Sequence, residues 1–376
     1  MPDDAIKDDL TEDNTLDIIG LDNPNVDIEE ENNQPVLMIN KDRENEEDED
    51  REEKTSDNGY KNEEDEDEDE DELNSAINNV KVLNNEDRDE EENGNNFNHF
   101  PTTNKKLKII VGNGRPGLGK STVAMQLIAP YLFTKNGQTK VPLYTFESLT
   151  DNNMFSTNIL NAISVEVKEN SFDNSIINLL TKDEYAIYDI GGGKTTQVVT
   201  DCLVNTGLIY GIDLFVIPLT DGKHEAIKAR EFYHTIKYHN PDANFVFVLN
   251  KVANNAYYDD VCMQYIDFLG DRNLMIDATR GIIEDINPED RNLAHLHNDD
   301  IVKYSVRNEK TVYELAFTNT SKTDDLLIQA LKDGNTVKQK LLSARKNSIS
   351  KAKKFFETSI KPSMDKFDQI LGYQNA

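Results

Sequence analysis

Residues 114–121 read Gly114-Arg115-Pro116-Gly117-Leu118-Gly119-Lys120-Ser121. They match the pattern G-x-x-x-x-G-K-[ST]. An apolar run at 107–111 precedes this stretch and predicts a buried strand, and residues 122–128 follow it and predict the opening of a helix. Because a strand, a glycine-rich loop and a helix in this order form the phosphate-binding P-loop, the sequence predicts a site for a nucleoside triphosphate.

The loop residues are expected to contact the phosphates and a metal ion. Glycines let backbone N–H groups close around the β-phosphate, and the helix N-terminus adds the positive end of its dipole. Lys120 is expected to reach the β- and γ-phosphates, and Ser121 to offer its hydroxyl to Mg²⁺. The predicted nucleotide-binding residues of the loop are Gly114, Pro116, Gly117, Leu118, Gly119, Lys120, Ser121 and Thr122.

The charge of the chain divides it into two parts. The formal net charge is -31, and the first 100 residues alone hold 38 acidic and 8 basic residues. Like charges repel, and this segment has too little apolar surface to offset the entropy of folding. We therefore expect residues 1–104 to be a disordered acidic tail, residues 105–318 to form the P-loop domain, and residues 319–376 to be a helical, basic extension.

Cysteine content and hydropathy indicate a cytoplasmic protein. The chain has two cysteines, Cys202 and Cys262, which are far apart and in no metal-binding spacing. No apolar run approaches the roughly 18 residues of a membrane span, and the acidic N-terminus has no signal-peptide core. Membrane association is therefore not expected.

Apolar runs and amphipathic segments alternate along the globular part. Strands are predicted at 108–111, 141–146, 184–190, 214–219, 245–249 and 274–276, and helices at 120–133, 152–164, 195–205, 223–238 and 258–269. This alternation predicts an α/β fold with a mostly parallel sheet covered on both faces. Ligands of such sheets bind at the carboxyl ends of the strands, where the P-loop, Asp189 and Asn250 are all expected.

Further motifs follow the P-loop. The strand at 185–190 ends in Asp189-Ile190-Gly191-Gly192-Gly193, and the strand at 214–219 carries Pro218 near its end. With the P-loop, these motifs resemble those of the ParA/MinD-type ATPases, the deviant-Walker-A branch that segregates plasmids and chromosomes or positions cell machinery. The resemblance covers roughly residues 106–290. The family's loop reads K-G-G-x-G-K-[ST], so that this chain has Arg115 in place of the signature lysine and Pro116 in place of a glycine.

The resemblance implies roles for single residues. Asp189 would hold the Mg²⁺ shell with Ser121, and the glycines after it would form a switch loop that reorders when the γ-phosphate is lost. Glu147, favoured over Asp151, would lie near the attacking water. Asn250 would contact adenine, which makes ATP the expected nucleotide. Arg115 would cross to the phosphates of a second subunit, as the family's lysine does. The candidate catalytic residues are therefore Lys120, Asp189, Arg115 and Glu147.

The family resemblance also implies a biological function. The expected activity is slow ATP hydrolysis that times a nucleotide-switched homodimer in plasmid or chromosome partition, with a stimulating partner protein on the DNA or cargo. Such a protein would be cytoplasmic and nucleoid-associated. Non-specific DNA would bind the basic C-terminal stretch through phosphate contacts. The candidate contacts are Lys338, Lys340, Arg345, Lys346, Lys351, Lys353 and Lys354.

Two other functions remain open at the level of sequence. Phe356, Ile360, Met364, Phe367 and Leu371 recur at helical spacing, so that with nearby lysines they could form an interfacial membrane helix of a MinD-like positioning protein. The Arg-Pro pair in the P-loop also occurs in hexameric helicases of the RecA type, so that a replicative or packaging motor is a further alternative. Hexamers would favour the motor, and dimers the ParA-like interpretation.

Overall fold

The computed structural model describes residues 105–147, 154–167, 174–254, 258–271 and 280–373. The predicted acidic tail, the predicted strand at 274–276 and the switch candidate Asp151 lie outside these residues. No observation tests the predicted domain boundaries, which stay a prediction.

Seven parallel strands form one sheet in the described residues, in the spatial order β3-β2-β4-β1-β5-β6-β7. The bounds are β1 Lys108–Val111, β2 Val141–Glu147, β3 Leu160–Glu166, β4 Ala186–Ile190, β5 Leu214–Leu219, β6 Phe245–Val252 and β7 Leu293–His297. Because β1 and β4 are neighbours, the P-loop and the Asp189 loop leave the same edge of the sheet side by side. The predicted parallel α/β fold is confirmed.

Helices cover both faces of the sheet. The first, α1, runs through Lys120–Val123, a π-helical turn Ala124–Ile128, and Ala129–Lys135. The next are α2 Asn174–Thr181, α3 Lys194–Thr206, α4 Lys223–His239, α5 Tyr258–Gln264, α6 Ile266–Leu269, α7 Asp300–Arg307 and α8 Val312–Ala316. The C-terminal part holds α9 Ser321–Lys332, α10 Thr336–Phe355, a π-helical turn Phe356–Ile360, and α11 Lys361–Leu371.

The sheet divides the core into two apolar layers. Alternate residues of β1 bury into opposite layers, Ile109 and Val111 with α1 and the C-terminal helices, and Ile110 with α3 and α4. This division follows from the strand geometry, because successive side chains point to opposite faces. Burial on both faces explains why the central strands read as continuous apolar runs.

The membrane-helix alternative is wrong, because the stripe that suggested it is packed in the core. Phe356, Ile360, Met364 and Phe367 are buried in the layer that also holds α1, and Leu371 packs against that layer. In the described part of the chain, no helix is long and apolar enough to span a bilayer. A stripe at helical spacing is used here for packing against the sheet.

Two edge strands differ from the sequence prediction. The helix predicted at 152–164 is wrong over all of its described residues, because residues 154–159 are not helical and Leu160–Glu166 form β3. Among the described residues β3 pairs only with β2, and it alternates irregularly between buried and exposed residues, which hides its period. The sequence pattern did not predict β7. On the side of β7 that faces away from β6, backbone amides donate hydrogen bonds to serines of the C-terminal helices. The amide of His297 donates to Ser359 Oγ at 3.1 Å, and that of His295 to Ser363 Oγ at 3.3 Å.

Candidate functional site

The P-loop joins β1 to α1 at the carboxyl edge of the sheet. Gly117 and Gly119 have φ angles of 80° and 75°, in the left-handed region that favours glycine. Gly119 immediately precedes the first turn of α1, and the amide of Val123 donates to its carbonyl at 2.9 Å. The loop therefore has the backbone shape that turns N–H groups toward an anion at a helix N-terminus.

Lys120 points inward and not to solvent. Its side chain is buried, and Nζ donates to the carbonyl of Arg115 at 2.9 Å, across the loop. Burial lowers the pKa of Lys120, while the carboxylates of Asp189 and Glu147 act in the opposite direction. The ammonium is thus directed into the loop with two acidic groups nearby, where bound phosphates would replace the carbonyl as its partner.

Ser121 and Asp189 form a direct pair. Ser121 Oγ donates to Asp189 Oδ2 at 2.6 Å, although the two residues are 68 positions apart. Asp189 is 1% exposed, and its Oδ1 is buried with no hydrogen-bond partner among the described residues. Burial raises the pKa of Asp189 to about 6, which the hydrogen bond from Ser121 and the charge of Lys120 partly oppose.

This pair fits the expected magnesium ion. A hydroxyl and a carboxylate are oxygen ligands, which Mg²⁺ prefers, and the unpaired Oδ1 leaves a buried lone pair for a metal-bound water. The described residues contain no cluster of three or more His, Cys, Asp or Glu side chains placed to bind a metal. A metal held by few protein ligands and by the nucleotide's phosphates agrees with that composition.

Glu147 ends β2, the neighbour of β4, and lies on the same edge of the sheet. Gly191 donates its amide to the Phe146 carbonyl at 2.8 Å, and a Cβ at Gly191 would lie 2.6 Å from Glu147 Oε2. Burial raises the pKa of Glu147, and the charge of Lys120 opposes that rise. The structure thus brings Glu147, Asp189 and Lys120 into one electrostatic cluster. The catalytic roles predicted for these residues stay a prediction.

The glycine loop after β4 packs directly on the P-loop. A Cβ at Gly192 would lie 2.4 Å from the backbone nitrogen of Pro116, and Gly193 donates its amide to the Gly114 carbonyl at 3.0 Å. The side chain of Thr196, at the start of α3, bonds the Asn113 carbonyl at 3.2 Å. Any movement of this loop therefore reaches residues 113–116. The contact between Thr196 and Asn113 could not be predicted from the sequence, because neither residue belongs to a motif.

Asn250 is placed beneath the P-loop. Its buried side chain donates from Nδ2 to the Leu118 carbonyl at 2.8 Å, and Tyr265 Oη donates to its carbonyl at 2.7 Å. Asn250 therefore stabilises the loop backbone, a role that no sequence motif indicated. Its predicted contact with adenine stays a prediction, as does a nucleotide contact of Thr122 in the first turn of α1.

Arg115 has an acidic partner within its own chain. Arg115 Nη1 lies 2.6 Å from Oε1 of Glu225, which is in the first turn of α4. The two side chains are 39% and 15% exposed. Glu225 could not be identified from the sequence, because its contact spans more than a hundred residues and leaves no local pattern.

The basic C-terminal candidates all lie on α10, but they are not equivalent. Lys346 pairs with Asp324 at 2.7 Å, and Lys351 with Asp299 at 2.8 Å. Lys340, Lys353 and Lys354 are exposed and form no ion pair within the part of the chain that the structure describes. Lys338 and Arg345 are partly exposed. The charges most available to a polyanion are therefore those of Lys340, Lys353 and Lys354.

Comparison with known proteins gave matches among solved structures only. The chain matches no protein-family model and no curated protein. It is similar to a plasmid partition protein from Borrelia burgdorferi, at 17% identity and a TM-score of 0.32, over 54% of this chain and 96% of that one. It is also similar to a putative plasmid partition protein from Borrelia burgdorferi B31 bound to AMPPNP, at 15% identity and a TM-score of 0.34, over 55% of this chain and 91% of that one.

At such identities and TM-scores, the similarity by itself assigns neither a family nor a function to this chain. The assignment depends instead on the residues of the P-loop and its neighbours.

Proposed function

We propose that the chain is a ParA-like ATPase that binds ATP with Mg²⁺, hydrolyses it slowly, and acts as a nucleotide-switched homodimer in DNA partition in the cytoplasm. The observation that carries the proposal is the hydrogen bond from Ser121 to the buried Asp189, 2.6 Å long, at the mouth of a P-loop whose lysine points inward. It joins the two motifs that nucleotide binding requires.

Each residue of the cluster has a chemical task in this proposal. Lys120 and the amides of the loop would bind the β- and γ-phosphates and stabilise the charge that develops on them. Ser121 and Asp189 would hold Mg²⁺, which neutralises phosphate charge when bound. Glu147, at the end of the neighbouring strand β2, would orient the attacking water. Because no histidine lies in this cluster among the described residues, and Glu147 is the one acidic side chain among them left for the water, slow turnover is expected.

Nucleotide switching is supported by the contact between the two loops. Gly192 and Gly193 touch the P-loop backbone, so a change around the γ-phosphate would move the start of α3. Arg115 carries a positive charge at the rim of the same loop and is the candidate for a contact with the phosphates of a second copy. Dimerisation would follow from that contact.

DNA binding is proposed for α10, whose exposed Lys340, Lys353 and Lys354 would neutralise phosphates without reading sequence. A partner protein on the DNA or cargo would stimulate hydrolysis. The RecA-type motor remains the alternative, and the oligomeric state separates the two.

Light scattering coupled to size exclusion tests the proposal. The parent chain is compared with Lys120→Ala, with and without a slowly hydrolysed ATP analogue, Mg²⁺ and duplex DNA. We expect an analogue-dependent dimer of the parent that binds DNA, and a monomer of Lys120→Ala under every condition. Hexamers would favour the motor, and identical behaviour of parent and variant would refute the site assignment.

A further inference from the structure

Arg115 is held in place on its backbone but not at its guanidinium. Lys120 Nζ bonds its carbonyl at 2.9 Å, and a Cβ at Gly192 would lie 2.7 Å from its carbonyl carbon. Both contacts fix the main chain against the body of the protein. The guanidinium lies at the surface in an ion pair with Glu225, so the side chain can change partners without movement of the loop.

Glu225 and a phosphate would compete for the same donors. A guanidinium presents its N–H groups in a planar fork that matches a carboxylate or a phosphate equally well, and one occupant excludes the other. The Arg115 side chain is 39% exposed, so that water can reach its donors and exchange of partners is feasible at equilibrium. The pair with Glu225 therefore opposes any contact of Arg115 with a second chain without preventing it.

We propose that Glu225 is a positioning residue that holds Arg115 in its own subunit, so that dimerisation requires Arg115 to leave Glu225 for the triphosphate bound by a second copy of the chain. The inference rests on the proposed nucleotide-driven dimer. It makes the Arg115–Glu225 pair an autoinhibitory contact that sets how much nucleotide and protein are needed for assembly.

The size of the effect follows from the symmetry of a dimer. Solvent reaches the Arg115 side of the pair, so each pair is expected to change an equilibrium about threefold, and a twofold dimer breaks two such pairs. Glu225→Gln keeps the size of the side chain and removes its charge. We expect the dissociation constant of the analogue-bound dimer to fall roughly tenfold in this variant.

The experiment measures dimer dissociation constants by sedimentation with a slowly hydrolysed ATP analogue and Mg²⁺. Glu231→Gln is the matched control, because it removes the same charge from the same helix, where Glu231 pairs with Lys228 at 2.6 Å and not with Arg115. We expect no change in the control. In an Arg115→Ala background, Glu225→Gln should have no further effect, because the group that it restrains is absent. Circular dichroism confirms that each variant is folded.

Each outcome decides the inference. If the parent dimerises and Glu225→Gln dimerises no more tightly, the inference is wrong and the proposed function stands. If Glu225→Gln tightens the dimer even in the Arg115→Ala background, general charge repulsion explains the effect and the inference is again wrong. If Glu225→Gln alone dimerises, the inference holds. If neither chain dimerises, the nucleotide-driven dimer and the inference are both overturned.

Discussion

Replacing Asp368 by Asn should destabilise the protein far more than the same replacement three residues earlier. Asp368 on α11 binds Lys135, the last residue of α1, whose side chain is 1% exposed. Lys135 Nζ lies 2.8 Å from Oδ1 and 2.9 Å from Oδ2 of Asp368, and Tyr131 Oη donates to Oδ1 at 3.0 Å. This cluster attaches the C-terminal helix to the helix that begins at the P-loop.

The magnitude follows from the burial of Lys135. An Asn side chain can still accept a hydrogen bond, so the variant loses the negative charge and leaves the ammonium buried without a counter-ion. Breaking a buried pair in this way costs about 3–5 kcal/mol, and because Asp368 is 20% exposed we expect the lower end, about 3 kcal/mol. Burial and the Asp368 carboxylate also raise the pKa of Tyr131, so its hydroxyl remains a donor at neutral pH.

Asp365→Asn is the control. Asp365 pairs with Lys361 at 2.8 Å on the same helix, but the side chains are 58% and 42% exposed, so its loss should cost no more than about 0.5 kcal/mol. Urea denaturation followed by circular dichroism measures both free energies of unfolding. Equal costs for the two variants, or a cost below about 1 kcal/mol for Asp368→Asn, would refute the reasoning.

Four further predictions concern the site, the acidic segment and the basic helix. Asp189→Asn should retain nucleotide binding but lose most Mg²⁺-dependent hydrolysis, by several kcal/mol of barrier, which a phosphate-release assay over a Mg²⁺ series measures. Gly192→Ala should weaken ATP binding, because its Cβ would lie 2.4 Å from the Pro116 nitrogen and displace the P-loop, whereas unchanged affinity would show that the loops do not act together. Deletion of residues 1–100, which carry 38 acidic side chains, should tighten duplex DNA binding. Lys353→Ala combined with Lys354→Ala should lower the salt dependence of DNA binding by about two phosphate contacts. Fluorescence anisotropy across a salt series measures both effects.

The features that could be predicted from the sequence are those that depend on neighbouring residues along the chain. The P-loop follows an apolar strand, and Asp189 and Glu147 each lie at the end of another. Because parallel strands end at one edge of the sheet, it could be predicted that these three features lie close together. The edge strand β3 could not be predicted, because its exposed face blurs the period of two on which strand prediction depends. β7 does alternate in burial, but it is only five residues long and two of them are histidines, so its apolar signal is weak.

Contacts between residues far apart in the sequence could not be predicted either. The pair of Lys135 and Asp368 is 233 positions apart, and the bond from Asn250 to Leu118 spans 132. Such contacts depend on how helices pack on the sheet and leave no spacing to read. For the same reason the apolar stripe on the C-terminal helices could be read either as a membrane surface or as core, and only its burial against α1 decided the question.

Titration calorimetry of ATP with Mg²⁺ tests the central claim, that the P-loop binds a nucleoside triphosphate, most directly. We expect one ATP per chain for the parent, and a roughly 100-fold loss of affinity in Lys120→Ala, since a buried ammonium that bonds phosphate oxygens is removed. Thermal denaturation shows whether the variant keeps its fold. If the parent does not bind ATP, or if a folded Lys120→Ala binds ATP as tightly as the parent, the P-loop is not the proposed nucleotide site.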